Sequence, residues 1–270
     1  MTDDERTAVH GSKFGRWFHT SAVEHVAMIF WARDTPNPTG VLNQGSAFML
    51  WRGDQLFLVT AAHVYRSYLC DREKYGDLYC EVKGGAQSYS IRDLCNHLVD
   101  CGNLNVPPGE PDPEPDIAVF RLPAEAAQRI GKAPIKGPSG DWPAPPTVGE
   151  MVMLVGFPAR ERKFEDGSFG AYSAFTPVTS MTDRQISCRF DHKHRIDVHG
   201  FGLPPRGYAT SGMSGGPLLI PGYRNGRWCW RLGGVISQAT GERQQSEVIF
   251  EAIVSHRAEY ILADGRLAKA

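Results

Sequence analysis

Ser211-Gly212-Met213-Ser214-Gly215-Gly216-Pro217-Leu218-Leu219 is a run of glycines around one serine, closed by a proline and an apolar strand pattern. Glycine tolerates backbone dihedrals that other residues resist, so such a loop can turn its N–H groups toward a common point beside the serine hydroxyl. A nucleophile with an oxyanion-binding site needs that arrangement. A flexible glycine turn would use the same glycines, so the loop alone leaves both readings open.

Two other strings narrow the choice. In Leu58-Val59-Thr60-Ala61-Ala62-His63-Val64 a strand gives way to small residues that let a histidine sit close to the backbone at the strand's end. In Pro115-Asp116-Ile117-Ala118-Val119-Phe120 a carboxylate opens a strongly apolar strand and would lie at the edge of a core. A lone histidine or a lone turn aspartate would be unremarkable. All three together, in the order His, Asp, Ser, make the flexible-turn reading a poor one.

The text around these strings is β. Short apolar runs such as Val26-Ala27-Met28-Ile29-Phe30-Trp31 alternate with Gly, Pro, Asn and Asp clusters, a spacing that suggests barrels or a sandwich. Ser46-Ala47-Phe48-Met49-Leu50-Trp51 and Leu56-Phe57-Leu58-Val59-Thr60 flank Arg52-Gly53-Asp54-Gln55, which reads as a hairpin turn and not as an adhesion motif. Residues 1–22 read as an N-terminal arm whose Phe14, Trp17 and Phe18 could dock on a barrel. A first β-rich half, 23–135, carries His63 and Asp116. The Pro- and Gly-rich stretch 136–148 reads as the connection to a second half, 149–254, which carries Ser214. Further strands are expected at 151–155, around 170–198, and at 217–220, 228–236 and 247–254. Residues 255–270 are expected to hold a short closing helix, with Ser255 as its N-cap.

Thr60-Ala61-Ala62-His63, Asp116-Ile117-Ala118 and Gly212-Met213-Ser214-Gly215-Gly216-Pro217 together resemble chymotrypsin-like serine peptidases. Gly156-Phe157-Pro158 after a strand further resembles the bacterial branch that includes the glutamyl endopeptidases. The resemblance spans roughly residues 25–262. It implies an all-β fold of two six-stranded antiparallel barrels, here followed by the short C-terminal helix. It also implies a serine endopeptidase that works through an acyl-enzyme. Ser214 would attack the scissile carbonyl, His63 would move the proton, Asp116 would hold the imidazole, and the N–H groups of Gly212 and Ser214 would bind the oxyanion. No cofactor and no metal is implied, and the partner is a polypeptide substrate.

Departures from the family are informative. Val64 stands where many animal relatives have a bridged cysteine, and Met213 stands where animal zymogens place the aspartate that receives a new N-terminus. Loop order must then come either from packing of Met213 and neighbouring apolar groups, or from a regulatory protein partner or the substrate acting on a mobile loop, and the second is the expectation. Tyr208 occupies the position where a trypsin holds an aspartate. Ser237 resembles the residue that pairs with substrate backbone and contacts the triad aspartate, and Ala239 and Val248 are candidates for the pocket wall. A small or apolar substrate side chain is the first expectation. An acidic one, assisted by His199, is the second.

Two rival classes share some of these features. Gly212 to Gly216 also satisfies the Gly-x-Ser-x-Gly elbow of serine esterases, but there the serine precedes its acid and histidine, and Pro217 and Pro221 would obstruct the following helix. A non-catalytic trypsin-fold binding module is the other alternative. The bulk composition excludes less. Lys+Arg 29 against Asp+Glu 30 leaves no whole-molecule field toward nucleic acid or an anionic membrane. The acidic, polar N-terminus and the six scattered cysteines suggest a cytoplasmic chain with mostly reduced thiols, Cys229 among them and buried.

Overall fold

The computed structural model describes residues 12–33, 40–85, 88–102, 115–138, 140–158, 162–163, 168–190, 212–224, 226–244 and 247–269. Helix α1 (Lys13–Val23) is the first element among the described residues, with the Ser12 hydroxyl accepting the Gly15 N–H at 3.0 Å as its N-cap. Strands β1 (Ala27–Ala32), β2 (Val41–Arg52) and β3 (Gln55–Thr60) follow, and the Gly53-Asp54 turn joins β2 to β3, with Gly53 at φ 56°. Helix α2 (Ala62–Tyr75) leads to β4 (Tyr79–Lys83), β5 (Ser88–Ile91), β6 (Leu98–Cys101) and β7 (Ala118–Leu122). The short helix α3 (Ala126–Ile130) and β8 (Ile135–Lys136) complete this half.

These strands make one sheet in the order β5-β4-β1-β2-β3-β7-β6, with β8 added parallel to β2. β1 is buried on both faces, as its unbroken apolar run requires. Ala27, Ile29 and Trp31 face a core shared with Val64, Tyr65 and Tyr68 of α2 and with Ala126 and Ile130 of α3. Met28 and Phe30 face the other way, toward Phe18 of α1 and Met153, Val155 and Val235 of the second half. The expected first six-stranded barrel is therefore corrected to a curled, open sheet. Among the described residues β5 and β6 form its unjoined ends, and the tyrosines of α2 fill the concave side.

The second half closes. Strands β9 (Met151–Gly156), β12 (Tyr172–Met181), β13 (Gln185–Phe190), β14 (Pro217–Arg224), β15 (Arg227–Gln244) and β16 (Glu247–Arg257) form a barrel in the order β12-β13-β16-β15-β14-β9. A small β10 (Arg162–Lys163) and β11 (Ser168–Phe169) pair lies beside it in sequence. Strands occupy the expected runs within the described residues, while 191–198 of the expected 170–198 region lie outside them. The expected closing helix does not form: Ser255 lies inside β16, paired with Ile186 on one side and Ile236 on the other, and only a single 3-10 turn at Ala258–Tyr260 follows. β16 must bridge β13 and β15 for the barrel to close, and that pairing overrides the local helical spacing. Cys229 is exposed and not buried, because it lies near the free end of the β14–β15 hairpin, opposite Gly222. All six cysteines are free.

Candidate functional site

The loop 212–216 sits where the two halves meet. Gly215 has φ 87°, and a side chain there would fall on the Ser46 carbonyl of β2 and the Thr60 hydroxyl of β3, so only glycine fits. Its N–H donates to the Ile236 carbonyl of β15 at 2.7 Å, while the Ser46 N–H donates to the Ser214 carbonyl at 2.9 Å. Gly215, the residue after the serine, thereby lies against Thr60 and Ala61, immediately before the helix that carries His63.

Ser46 is fully buried and ties the loop down twice. Its hydroxyl donates to the Gly212 carbonyl at 2.7 Å and accepts the Phe157 N–H at 2.8 Å. Met213 is wholly buried in the barrel core, with its backbone and side chain against Gly156. Apolar packing thus orders the middle of a loop that has no carboxylate to pair. Gly156 leaves room for this, since a Cβ there would strike Met213. The peptide that joins residues 211 and 212 lies outside the described residues.

His63 is the second residue of α2, not the end of a strand. The first N–H groups of a helix have no intrahelical acceptor, and Ala61 offers no side-chain cap. Asp116, just ahead of β7, fills that role from a distance. Its Oδ1 accepts the His63 backbone N–H at 2.8 Å, and its Oδ2 lies 2.7 Å from His63 Nδ1. One carboxylate therefore caps the helix and orients the imidazole on it, leaving Nε2 as the nitrogen available for proton transfer. Arg66, one turn further along α2, places Nη2 3.8 Å from Asp116 Oδ1. Burial disfavours the charged carboxylate, but the side-chain and backbone bonds to His63, with a smaller contribution from His256, outweigh it and hold Asp116 below the usual carboxylate range.

The Ser214 hydroxyl is directed to the Ser237 carbonyl at 3.3 Å. Among the described residues it has no hydrogen bond to His63, so the serine and the imidazole are not engaged with each other. Ser237 is the extra residue of a bulge between Ile236 and Gln238, which frees its carbonyl from the ladder with β16. Its own hydroxyl donates to Val254 O at 3.1 Å. The expected contact with Asp116 is thus replaced by one within the barrel. Ala239 and Val248 lie in β15 and β16, opposite Ile253 and Arg243. Their side chains, together with Tyr208 and His199, fall outside the described residues.

Ser46, Arg66 and His256 are the residues at this site that sequence reasoning missed. A serine after Gly45 inside an otherwise apolar strand was the available signal for Ser46. Arg66 becomes visible only once 62–75 is read as a helix that puts it one turn from His63.

No family model matches this chain. A search of curated proteins finds no match either. Among solved structures, the active form of the Rv3671c protease from M. tuberculosis is similar with TM-score 0.48 and 18% identity, over 92% of this chain and 84% of that one. The inactive form of the Rv3671c protease gives TM-score 0.43 and 18% identity, over 88% and 86%. Neuropsin, a serine protease expressed in the limbic system of mouse brain, gives 0.48 and 15%, over 88% and 90%. Likeness this distant assigns no role to any residue here, and the chemistry is read from the side-chain geometry alone.

Proposed function

We propose that this chain is a serine endopeptidase of the chymotrypsin-like kind, with Ser214 as nucleophile, His63 as general base and acid, and Asp116 as the group that orients His63. The observation that carries this reading is the double acceptance of His63 by one buried carboxylate, beside a glycine loop that only Gly215 allows to reach Thr60 and Ala61. A depressed Asp116 remains ionised through the working pH range and keeps Nδ1 of the imidazole protonated, which leaves Nε2 to take the serine proton.

Ser214 would turn from the Ser237 carbonyl toward Nε2 when a peptide enters. Its oxygen would add to the scissile carbonyl, and the oxyanion would be received by the N–H groups of Gly212 and Ser214, where one donor is worth roughly 3 kcal/mol in the transition state. The proton held by His63 would go to the leaving amine, and water would repeat the sequence on the acyl-enzyme. Substrate preference for a small or apolar side chain is proposed from Ala239 and Val248, with an acidic side chain near His199 as the second reading. The bacterial glutamyl-endopeptidase branch rests on Gly156-Phe157-Pro158 alone, and a cytoplasmic setting rests on the sequence alone.

Cleavage of a mixed peptide library by purified protein tests the activity. Products should accumulate with wild type and be absent with Ser214→Ala, and the residues preceding the cut should be predominantly small or apolar. Equal cleavage by both proteins would refute the reading.

A further inference from the structure

A second surface is built by α1 and the β14–β15 hairpin. Phe14, Trp17, Tyr223 and Trp228 are 45, 47, 66 and 46% exposed. They form one chain of rings, with Trp17–Phe14 centroids at 6.0 Å, Phe14–Trp228 at 5.8 Å and Trp228–Tyr223 at 5.4 Å. Phe18 lies beneath them, 5.8 Å from Trp228 and 4.4 Å from Trp230. The platform is fixed in advance. His19 Nδ1 lies 2.8 Å from the Ser173 hydroxyl, and the Trp230 indole donates to Ser21 at 3.0 Å. At about 150–250 Å² per aromatic side chain, on the order of 400 Å² of ring surface faces solvent. That is the size of the largest apolar patch on a typical monomer, about 300–600 Å², which is often functional.

The charged residues of the two stretches that carry the rings, 12–23 and 221–233, are all basic. Lys13 and Arg16 flank Phe14 and Trp17 on α1, while Arg224 and Arg227 adjoin Tyr223 and Trp228 and pair across the hairpin. No Asp or Glu occurs in 12–23 or 221–233. Since the chain has 29 Lys and Arg against 30 Asp and Glu and these two stretches hold five of the cations, the other residues carry 24 against 30, so the two stretches are opposite in sign to the rest.

We infer that this face docks an acidic segment of another polypeptide, anchored by apolar side chains on the Trp and Tyr rings with its carboxylates on the basic rim. A second copy bound face to face would set cations against cations. A lipid surface is disfavoured too, because rings stacked edge to face and about half exposed form a low platform, not a wedge reaching about 5–10 Å into the headgroups. Trp, Tyr and Arg are also the residues that dominate binding energy between proteins. The inference does not depend on the peptidase reading.

A phage-displayed 12-residue peptide library selected on the full chain tests it, with enriched peptides synthesised and measured by fluorescence anisotropy. Enriched sequences should combine Asp or Glu with Leu, Phe or Trp. Their Kd should rise at least tenfold for Trp17→Ser/Trp228→Ser and for Arg224→Glu/Arg227→Glu, and rise again with salt. Melting curves confirm that each variant folds, and the charge variant leaves the aromatics in place. Peptides of no acidic bias, or binding unchanged in both variants as for peptides held at Ser214, would overturn the inference. So would pelleting of wild type but not the variants with phosphatidylcholine–phosphatidylserine vesicles, or a dimer in sedimentation that the variants dissolve.

Discussion

Ser46→Ala is the substitution that most sharply separates a loop held from below from one held by its own glycines. The Ser46 hydroxyl is buried and makes two bonds, one to Gly212 O and one from Phe157 N. Removing it leaves a carbonyl and an N–H without partners in a dry junction, while the backbone bond from Ser46 N–H to Ser214 O remains. A net hydrogen bond contributes about 0.5–1.5 kcal/mol, and an orphaned buried group costs about 1–3 kcal/mol. The expected loss is therefore about 2–3 kcal/mol in urea denaturation. At roughly 2 cal/mol/K of unfolding entropy per residue, this lowers Tm by about 4–5 °C. Loosening at Gly212 should also slow acylation of Ser214 by a fluorophosphonate by roughly tenfold, because one oxyanion donor is no longer held in place. A stability change under 0.5 kcal/mol with unaltered acylation would refute the view that Ser46 orders the loop.

Other outcomes follow from the same geometry. His63→Ala should lower peptide turnover by about 10⁴ while leaving the melting curve within a few degrees of wild type, since the helix keeps its backbone bond to Asp116; a collapse of the fold instead would assign His63 a structural role. Asp116 is more acidic than an ordinary carboxylate, so its stabilising contribution is complete above about pH 4 and is lost as pH falls through its lowered folded value. Asp116→Asn should then be less stable than wild type at pH 7 in urea, with the gap closing below about pH 4; a gap constant down to pH 3 would contradict the ionised state. In native protein Cys70 and Cys229 should react first with a thiol reagent, and Cys188, buried and with its thiol pushed up to about 12, should wait for unfolding. Fewer than six reactive thiols in denaturant without reductant would reveal a bridge.

Much of the β architecture could be read from local pattern. The hairpin at Gly53-Asp54 and the strands that begin at Met151 and Pro217 are set by short apolar runs against turn residues, which act within a few positions. The open first sheet could not be read, because closure depends on whether β5 and β6 meet across the sheet, and α2 supplies tyrosines that occupy the space. Helix α2 itself hides behind Val64, Tyr65 and Tyr68, residue types that favour strands. Its cap comes from Asp116, more than 50 positions away in sequence. The final helix failed for the opposite reason: 255–262 has helical spacing, yet Ser255 is required by two neighbouring strands. At the site, His63, Asp116 and the glycine loop were legible as residue types in a fixed order. Ser46 was not, since a buried serine in a strand gains meaning only from what lies opposite it.

Whether Ser214 is a nucleophile activated by His63 and Asp116 is decided by intact-mass and peptide-mapping measurement of the full chain after treatment with a fluorophosphonate. One adduct per chain should form on Ser214, be lost in Ser214→Ala and be strongly slowed in His63→Ala and Asp116→Asn. An unmodified Ser214, or labelling at Ser214 that proceeds equally fast without His63, would contradict it.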